Sequence, residues 1–175
     1  MKHTTHPHKH MTYLVYIGFA AILIFIGLSI KESFYHERQI SGCIMADDVV
    51  KLQKIFEKIH QTCQIISFDY QKNPINFLNV KEFTSSEVGP MNLVYPKKWQ
   101  GPYVQDNPEV QGKAYQVVKT KQGHFIIPGD GVVLPNGKKL GSDLPIDENT
   151  DIQALTQDKQ PLNYQGRALA ASLKL

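Results

Sequence analysis

The chain has 175 residues, and its 19 basic and 16 acidic residues give a formal net charge of +3. All the acidic residues follow Ile30, and so do all the basic ones except Lys2 and Lys9. A charge this close to balance, without a clustered basic stretch, argues against a nucleic-acid-binding surface. The roughly 145 residues after Ile30 are enough for one domain with its own hydrophobic core.

The first predicted element is an apolar helix near the N-terminus. Residues 13–30 read YLVYIGFAAILIFIGLSI and carry no charge. At ~1.5 Å rise per residue this helix is ~27 Å long, close to the ~30 Å hydrocarbon core of a bilayer. The run therefore predicts a transmembrane helix, with membrane lipid as a partner.

A cleaved signal peptide is the competing interpretation, because Lys2 and Lys9 precede the run. Signal-peptide cores are roughly 7–15 residues long and end at a small-x-small site. This run is longer and continues into KESF at 31–34, so we expect the anchor to be retained. A short basic leader before a large domain favours a cytoplasmic N-terminus. The predicted domains are a cytoplasmic leader at 1–12, the transmembrane helix at 13–30, an exocytoplasmic domain at 31–145 and a polar C-terminal tail at 146–175.

An amphipathic helix is predicted next, because apolar residues recur at alternating steps of four and three, the spacing of one helix face. This stripe consists of Met45, Val49, Leu52, Phe56, Ile59, Cys63 and Ile66. Asn73-Pro74 is expected to end the helix, and Ser41-Gly42 to bend it. On one helix Cys43 and Cys63 would lie ~30 Å apart, so we expect both to be unpaired.

Short β-type runs follow. Residues 114–118 and 124–127 predict an antiparallel hairpin, and Pro135-Asn136-Gly137 predicts a tight turn. A sheet of three or four strands would pack on the apolar stripe. The predicted fold class is α+β, with a long N-terminal helix, membrane-spanning in its first half and amphipathic in its second, packed by a small antiparallel β-sheet. Beyond Asp143 we expect a loosely held tail.

This plan and several local motifs resemble type IV pilins and pseudopilins. SSEVG at 85–89, LV at 93–94 and WQGPYV at 99–104 are similar to the T-T-E-Q-G-L, L-V and W-x-G-P-Y-L segments of the major pseudopilin of type II secretion. DNP at 106–108 and GKAYQ at 112–116 look like its D-P-x-G-x-P-Y-x-Y segment, and GDG at 129–131 with GSDL at 141–144 resembles its A-D-G…D-I ending.

Four residues of the W-x-G-P-Y motif are predicted to be structural. Gly101 and Pro102 would fix a tight backbone path, while Trp99 and Tyr103 provide large apolar area that closes the loop over the helix. We therefore expect these four residues to stabilise the fold without performing chemistry.

The resemblance also implies a calcium ion, held by Asp130 and Asp143. Calcium takes 6–8 oxygen ligands, so two carboxylates would need carbonyl groups and water to complete the shell. The chain departs from the family pattern here, because residues 132–140 form an insertion with two lysines and no added acid. The alternative is a solvated hairpin in which Asp130 is a turn residue.

The N-terminus departs further from the family. Prepilins are cut after a glycine and carry a glutamate at the fifth position of the mature chain. Gly18-Phe19 is the one Gly-Phe step in this region, and the fifth residue after it is Leu23. We expect no prepilin cleavage.

The resemblance implies a non-enzymatic structural subunit or assembly factor of a type II secretion or type IV pilus-like system. Such a protein would lie in the bacterial inner membrane with its C-terminal domain in the periplasm. It would act by helix packing with other pilin-like or secretion-system subunits, and would bind no nucleic acid and no small-molecule substrate.

Two other functions are conceivable for such a chain. An enzyme is not expected, because Cys63, three residues from His60, lies on the packed stripe, and because His124 and Asp130 are typical of a strand and a turn. The second is a membrane-tethered extracytoplasmic binding module unrelated to pili, which would bind a peptide or glycan with exposed aromatic side chains. Its candidate contacts are Trp99, Tyr103 and Tyr115.

Overall fold

A computed structural model describes residues 8–83 and 87–175 and has α+β architecture. The chain divides into two compact units, Met1–Arg38 and Gln39–Leu175. Helix α1, His8–Cys63, contributes residues to both units, and the 25 residues 39–63 belong to the second. The first motif of the pilin-like pattern, which begins at Ser85, lies partly outside the described residues.

The first unit exposes large apolar side chains of α1. Five consecutive ones, Ile22 to Ile26, are 50–71% exposed. Within the described part of the chain, no helix combines the length and the apolar character needed to cross a membrane. The predicted transmembrane helix at 13–30 is therefore contradicted, and with it the single-pass inner-membrane location.

The predicted fold class needs a second correction. The residues of α1 fall into two units, and the strands form four small sheets where one was expected. The strands are β1 (Ile65–Phe68), β2 (Lys72–Pro74), β3 (Glu87–Val88), β4 (Met91–Leu93), β5 (Glu109–Val110), β6 (Lys113–Ala114), β7 (Gln116–Thr120), β8 (Gly123–Ile127), β9 (Asn163–Tyr164), β10 (Arg167–Ala168) and β11 (Ala171–Leu173). A 3-10 helix spans Pro96–Lys98, and a one-turn helix, α2, spans Ile152–Leu155.

One face of α1 in the second unit is buried, as its 3–4 spacing predicts. The six predicted stripe residues from Met45 to Cys63 are each 0–1% exposed, and Ala46 joins them. Ile66, the seventh, is 63% exposed, so its prediction is wrong. Both cysteines are free, with Cys43 exposed and Cys63 buried, which confirms the prediction that they are unpaired.

Helix α1 ends ten residues earlier than Asn73, where the sequence pattern predicted its end. Gln64 adopts a φ of +53°, in the left-handed region, and the chain then enters β1. Carbonyl groups at the helix end accept hydrogen bonds from the segment that follows β4, the strand paired with β1. Val94 N–H donates to Gln64 O and Tyr95 N–H donates to Cys63 O, each at 2.9 Å. Asn73 lies instead in β2, paired with Val117.

The largest sheet is antiparallel and has the order β11-β8-β7-β2. Its central hairpin, β7-β8, confirms the predicted hairpin with each strand end within a few residues of its expected place. A second sheet has the order β1-β4-β3, and β5-β6 and β9-β10 form two-stranded ladders. The core lies between these sheets and the buried face of α1.

The segment after Asp143 is an ordered part of the domain, which corrects the expectation of a loosely held tail. β11 pairs with β8 along its whole length. Asp151 caps α2, its carboxylate accepting from Ala154 N–H at 2.9 Å. Apolar residues from this segment join the core; they are Ile146, Ile152, Leu162, Leu169, Ala170, Ala171 and Leu173.

Gly42 allows close packing, and α1 continues as a helix through the Ser41-Gly42 step. A Cβ on Gly42 would lie 2.7 Å from Tyr164 Cδ1 and 2.9 Å from Pro135 Cγ. The predicted Asn-Gly turn beside Pro135 is confirmed, with Gly137 at φ +87° and its N–H donating to Leu134 O at 2.8 Å.

Candidate functional site

The W-x-G-P-Y segment forms a closed aromatic cluster. Trp99 makes edge-to-face contacts with Phe83 and Tyr103, with ring centroids 5.0 and 4.8 Å away. Its indole Nε1 donates to Val80 O at 3.0 Å, so the polar end of the ring is satisfied. Trp99 is only 9% exposed. Aromatic pairs in this arrangement add about 0.5–1.5 kcal/mol beyond the area that they bury.

Gly101 is required by the space in this cluster. A Cβ at this position would lie 2.1 Å from Val80 O and 2.3 Å from Trp99 Nε1, so only glycine leaves the hydrogen bond between those two groups intact. The Gly101-Pro102 peptide bond is cis, and Pro102 is exposed. The loop is then tied back by Tyr103 N–H, which donates to Leu78 O at 2.8 Å.

Tyr103 connects the loop to helix α1. The ammonium group of Lys58 lies 5.7 Å from the Tyr103 ring centroid, within reach of a cation–π interaction. Burial raises the pKa of the Tyr103 hydroxyl above its ordinary value, while a hydrogen bond with the Gln100 backbone opposes the shift. Burial thus favours the neutral phenol, and the ring has a packing role.

The aromatic side chains proposed for a binding module do not form an exposed patch. Trp99 is buried, Tyr103 is half-buried and Tyr115 is 0% exposed. The Tyr115 hydroxyl donates to Asp48 Oδ2 at 2.9 Å, which joins the sheet side of the core to α1. Burial raises the pKa of Tyr115 strongly, and the nearby Asp48 carboxylate adds to the shift. Trp99 and Tyr115 therefore do not offer a surface for a peptide or glycan, and Tyr103 offers only part of its ring.

The two candidate calcium ligands both have protein partners. Asp130 accepts from the Lys72 ammonium with both oxygens, at 2.7 and 3.0 Å, and from the Gln116 amide at 3.2 Å. Asp143 accepts from Lys139 N–H at 2.9 Å. Among the described residues no group of three or more His, Cys, Asp or Glu side chains is placed to hold a metal ion. The residues present do not fit a calcium site, although calcium binding itself stays a prediction to be tested.

Neither pair considered for catalysis forms a catalytic arrangement. Cys63 is 0% exposed, and its sulfur lies 3.4 Å from the Thr62 hydroxyl. His60 Nδ1 is buried and has no hydrogen-bond partner in the part of the chain that the structure describes. His124 packs against Phe68, with ring centroids 5.3 Å apart, and burial lowers its pKa. A nucleophile, base and oxyanion donor do not converge at either place.

A small polar cavity of about 210 Å³ lies elsewhere on the second unit. It is smaller than the ~300–1,000 Å³ typical of ligand pockets. Its walls carry both signs of charge. The lining residues are Phe68, Asp69, Tyr70, Gln71, Lys119 and Glu148.

The first unit carries the most unusual surface. Exposed large apolar side chains occupy Ile17, Phe19, residues 22–26, Leu28 and Ile30, each at least 50% exposed. Gly18 and Gly27 have open space around them, since a methyl group added at either position would meet nothing within 4 Å. Neither a protein-family model, nor a curated protein, nor a solved structure matches this chain.

Proposed function

We propose that this protein is a non-enzymatic structural subunit or assembly factor of a type II secretion or type IV pilus-like system. It acts by helix packing with other pilin-like subunits. The motif resemblance over residues 85–144 suggests the system.

The observation that carries the proposal is the exposed apolar surface of α1 in the first unit. Successive helical residues are turned by about 100°, so residues 22–26 point in every direction around the helix. All five are at least half exposed. Large exposed apolar surfaces mark interaction sites in proteins. Gly18 and Gly27 are nine residues apart and so lie about 180° apart around the helix, where each would let a partner helix approach closely on its own face.

Site-specific photocrosslinking in the native host tests this proposal. A photoreactive phenylalanine analogue replaces Phe25, which is 71% exposed in the first unit, and in a matched control it replaces Tyr70, which is 67% exposed in the second. We expect the probe at position 25 to capture pilin-like or secretion-system subunits, and the probe at position 70 to capture far less of them. Recovery of the protein alone from both, or equal capture at both positions, would contradict the proposal.

A further inference from the structure

A lysine from another strand already places its positive charge against the loop that resembles the calcium segment of pseudopilins. Lys72, on β2, places its ammonium group against both oxygens of Asp130, at 2.7 and 3.0 Å. Gln116, on the adjacent β7, donates to Asp130 Oδ1 at 3.2 Å. The carboxylate thus takes its donors from two neighbouring strands of the main sheet, although Lys72 is 58 residues away in sequence.

The space around Asp130 is further restricted by its neighbours. A Cβ on Gly141 would lie 3.2 Å from Asp130 Cγ, so the returning part of the loop presses against the carboxylate. Beside it, Cε atoms of Lys113 and Lys139 approach the Cβ position of Gly131 within 3.6 and 3.8 Å. A divalent cation bound to Asp130 would face the Lys72 ammonium group, and like charges at short range repel.

The second expected ligand is also engaged by the protein. Asp143 Oδ2 accepts from Lys139 N–H at 2.9 Å, and Ser142 Oγ donates to Oδ1 at 3.3 Å. Calcium requires 6–8 oxygens, and the carboxylate oxygens that this loop offers are already committed to nitrogen and hydroxyl donors.

We infer that the Lys72 ammonium is the built-in cation of this loop, and that it fastens residues 129–143 to the main sheet where the resembled family uses calcium. The loop is also closed by its own backbone, with Gly131 N–H donating to Leu140 O at 2.9 Å. The ion pair adds the link between this closed loop and β2. We therefore expect the attachment of residues 129–143 to the main sheet to depend on Lys72 and not on calcium.

Thermal unfolding of the full-length chain tests the inference, with wild type, Lys72→Met and a control, Lys54→Met. Lys54 is exposed on α1 and has no ion pair among the described residues. A partly exposed ion pair contributes modestly, so we expect Lys72→Met to lower the Tm by about 1–4 °C and the control to leave it within about 1 °C. Hydrogen exchange of the backbone amides of Gly131 and Leu140 measures local opening of the loop directly. We expect the exchange rate to rise up to about fivefold in Lys72→Met and not in the control.

The calcium arm of the experiment adds the ion at about 10 mM, or a chelator, to the same proteins. That concentration exceeds the ~10⁻⁴–10⁻³ M dissociation constants of weak extracellular sites, so a bound ion would raise the Tm by about 3–6 °C. We expect no shift in wild type. A calcium-dependent rise in the wild-type Tm would overturn the inference, and so would loop exchange in Lys72→Met that equals the control.

Discussion

Replacing Gly101 by alanine tests whether the aromatic cluster is closed as tightly as its geometry indicates. The added methyl group would lie 2.1 Å from Val80 O and 2.3 Å from Trp99 Nε1, far inside van der Waals contact. Neither atom can yield without breaking the 3.0 Å hydrogen bond that joins them. Overpacking of a well-packed site costs about 1–3 kcal/mol, and a lost hydrogen bond about 0.5–1.5 kcal/mol. We expect Gly101→Ala to lose about 2–4 kcal/mol of the free energy of unfolding.

Urea denaturation followed by tryptophan fluorescence measures both parts of this prediction, since Trp99 is the one tryptophan in the chain. The midpoint should fall, and the folded emission should move toward the red because the displaced indole gains contact with water. Gly27→Ala is the matched control. Its added methyl group meets nothing within 4 Å, and alanine favours a helix interior by up to about 1 kcal/mol over glycine. A Gly101→Ala protein with the wild-type midpoint and emission would refute the packing argument.

Three further predictions address the core and its edges. Phe56→Ala should lose about 3–5 kcal/mol in urea denaturation, because the ring is 0% exposed and contacts two other aromatic rings; a loss below about 1 kcal/mol would contradict its central position. Burial raises the pKa of Tyr115 above its ordinary 10.0, so the unfolded chain releases this proton first and stability falls as pH rises above that value. Tyr115→Phe should lose about 1 kcal/mol at neutral pH, because the hydrogen bond to Asp48 is lost. In denaturation measured as a function of pH, its stability should decline less steeply than that of the wild type between about pH 9.5 and 11. Parallel pH profiles of the two proteins would contradict the raised pKa of Tyr115. Deletion of residues 171–175 should lower the free energy of unfolding by more than about 2 kcal/mol, since it removes an edge strand and the buried Leu173. An unchanged urea midpoint would support a loosely held tail instead.

The buried face of α1 could be predicted because its signal is local. Apolar residues at steps of three and four lie on one face of a helix, so the sequence alone indicates which face is buried. Six of the seven predicted positions are buried. The prediction for Ile66 was wrong because the backbone period changes from 3.6 to 2 after Gln64, and nothing in the sequence marks a left-handed glutamine. The hairpin at β7-β8 was predictable for the same reason as the helix face, since both strands and the turn lie within a dozen residues.

The ordered C-terminal segment was missed because its core residues are dispersed. Ile146, Ile152 and Leu162 are widely spaced in the sequence and share no helical or strand period. Leu173 reaches the core through the pairing of β11 with β8, which joins parts of the chain more than forty residues apart. Hydrophobic periodicity describes single elements, so it carries little information about segments that are buried one residue at a time.

In the candidate site too, the features set by one loop could be predicted, and the contacts from distant segments could not. Burial of Trp99 was predictable from Gly and Pro beside two aromatics, a pattern that describes one loop. Val80 and Lys58, which complete that cluster, come from distant segments and left no signal. The same holds for Lys72, because the sequence showed Asp130 as an acid in a turn, and only the pairing of β2 with β7 brings a lysine to it.

The two units use apolar residues differently, and this difference supports the functional proposal. In the second unit the apolar residues of α1 lie on one face, and the sheets cover that face to 0–1% exposure. In the first unit they occur on every side of the helix and stay exposed, with Phe25 at 71%. A helix that is apolar all round is normally buried by other elements. The second unit therefore supplies its own core, whereas the described apolar side chains of the first unit stay exposed, and this is the surface that the proposed packing between helices would use.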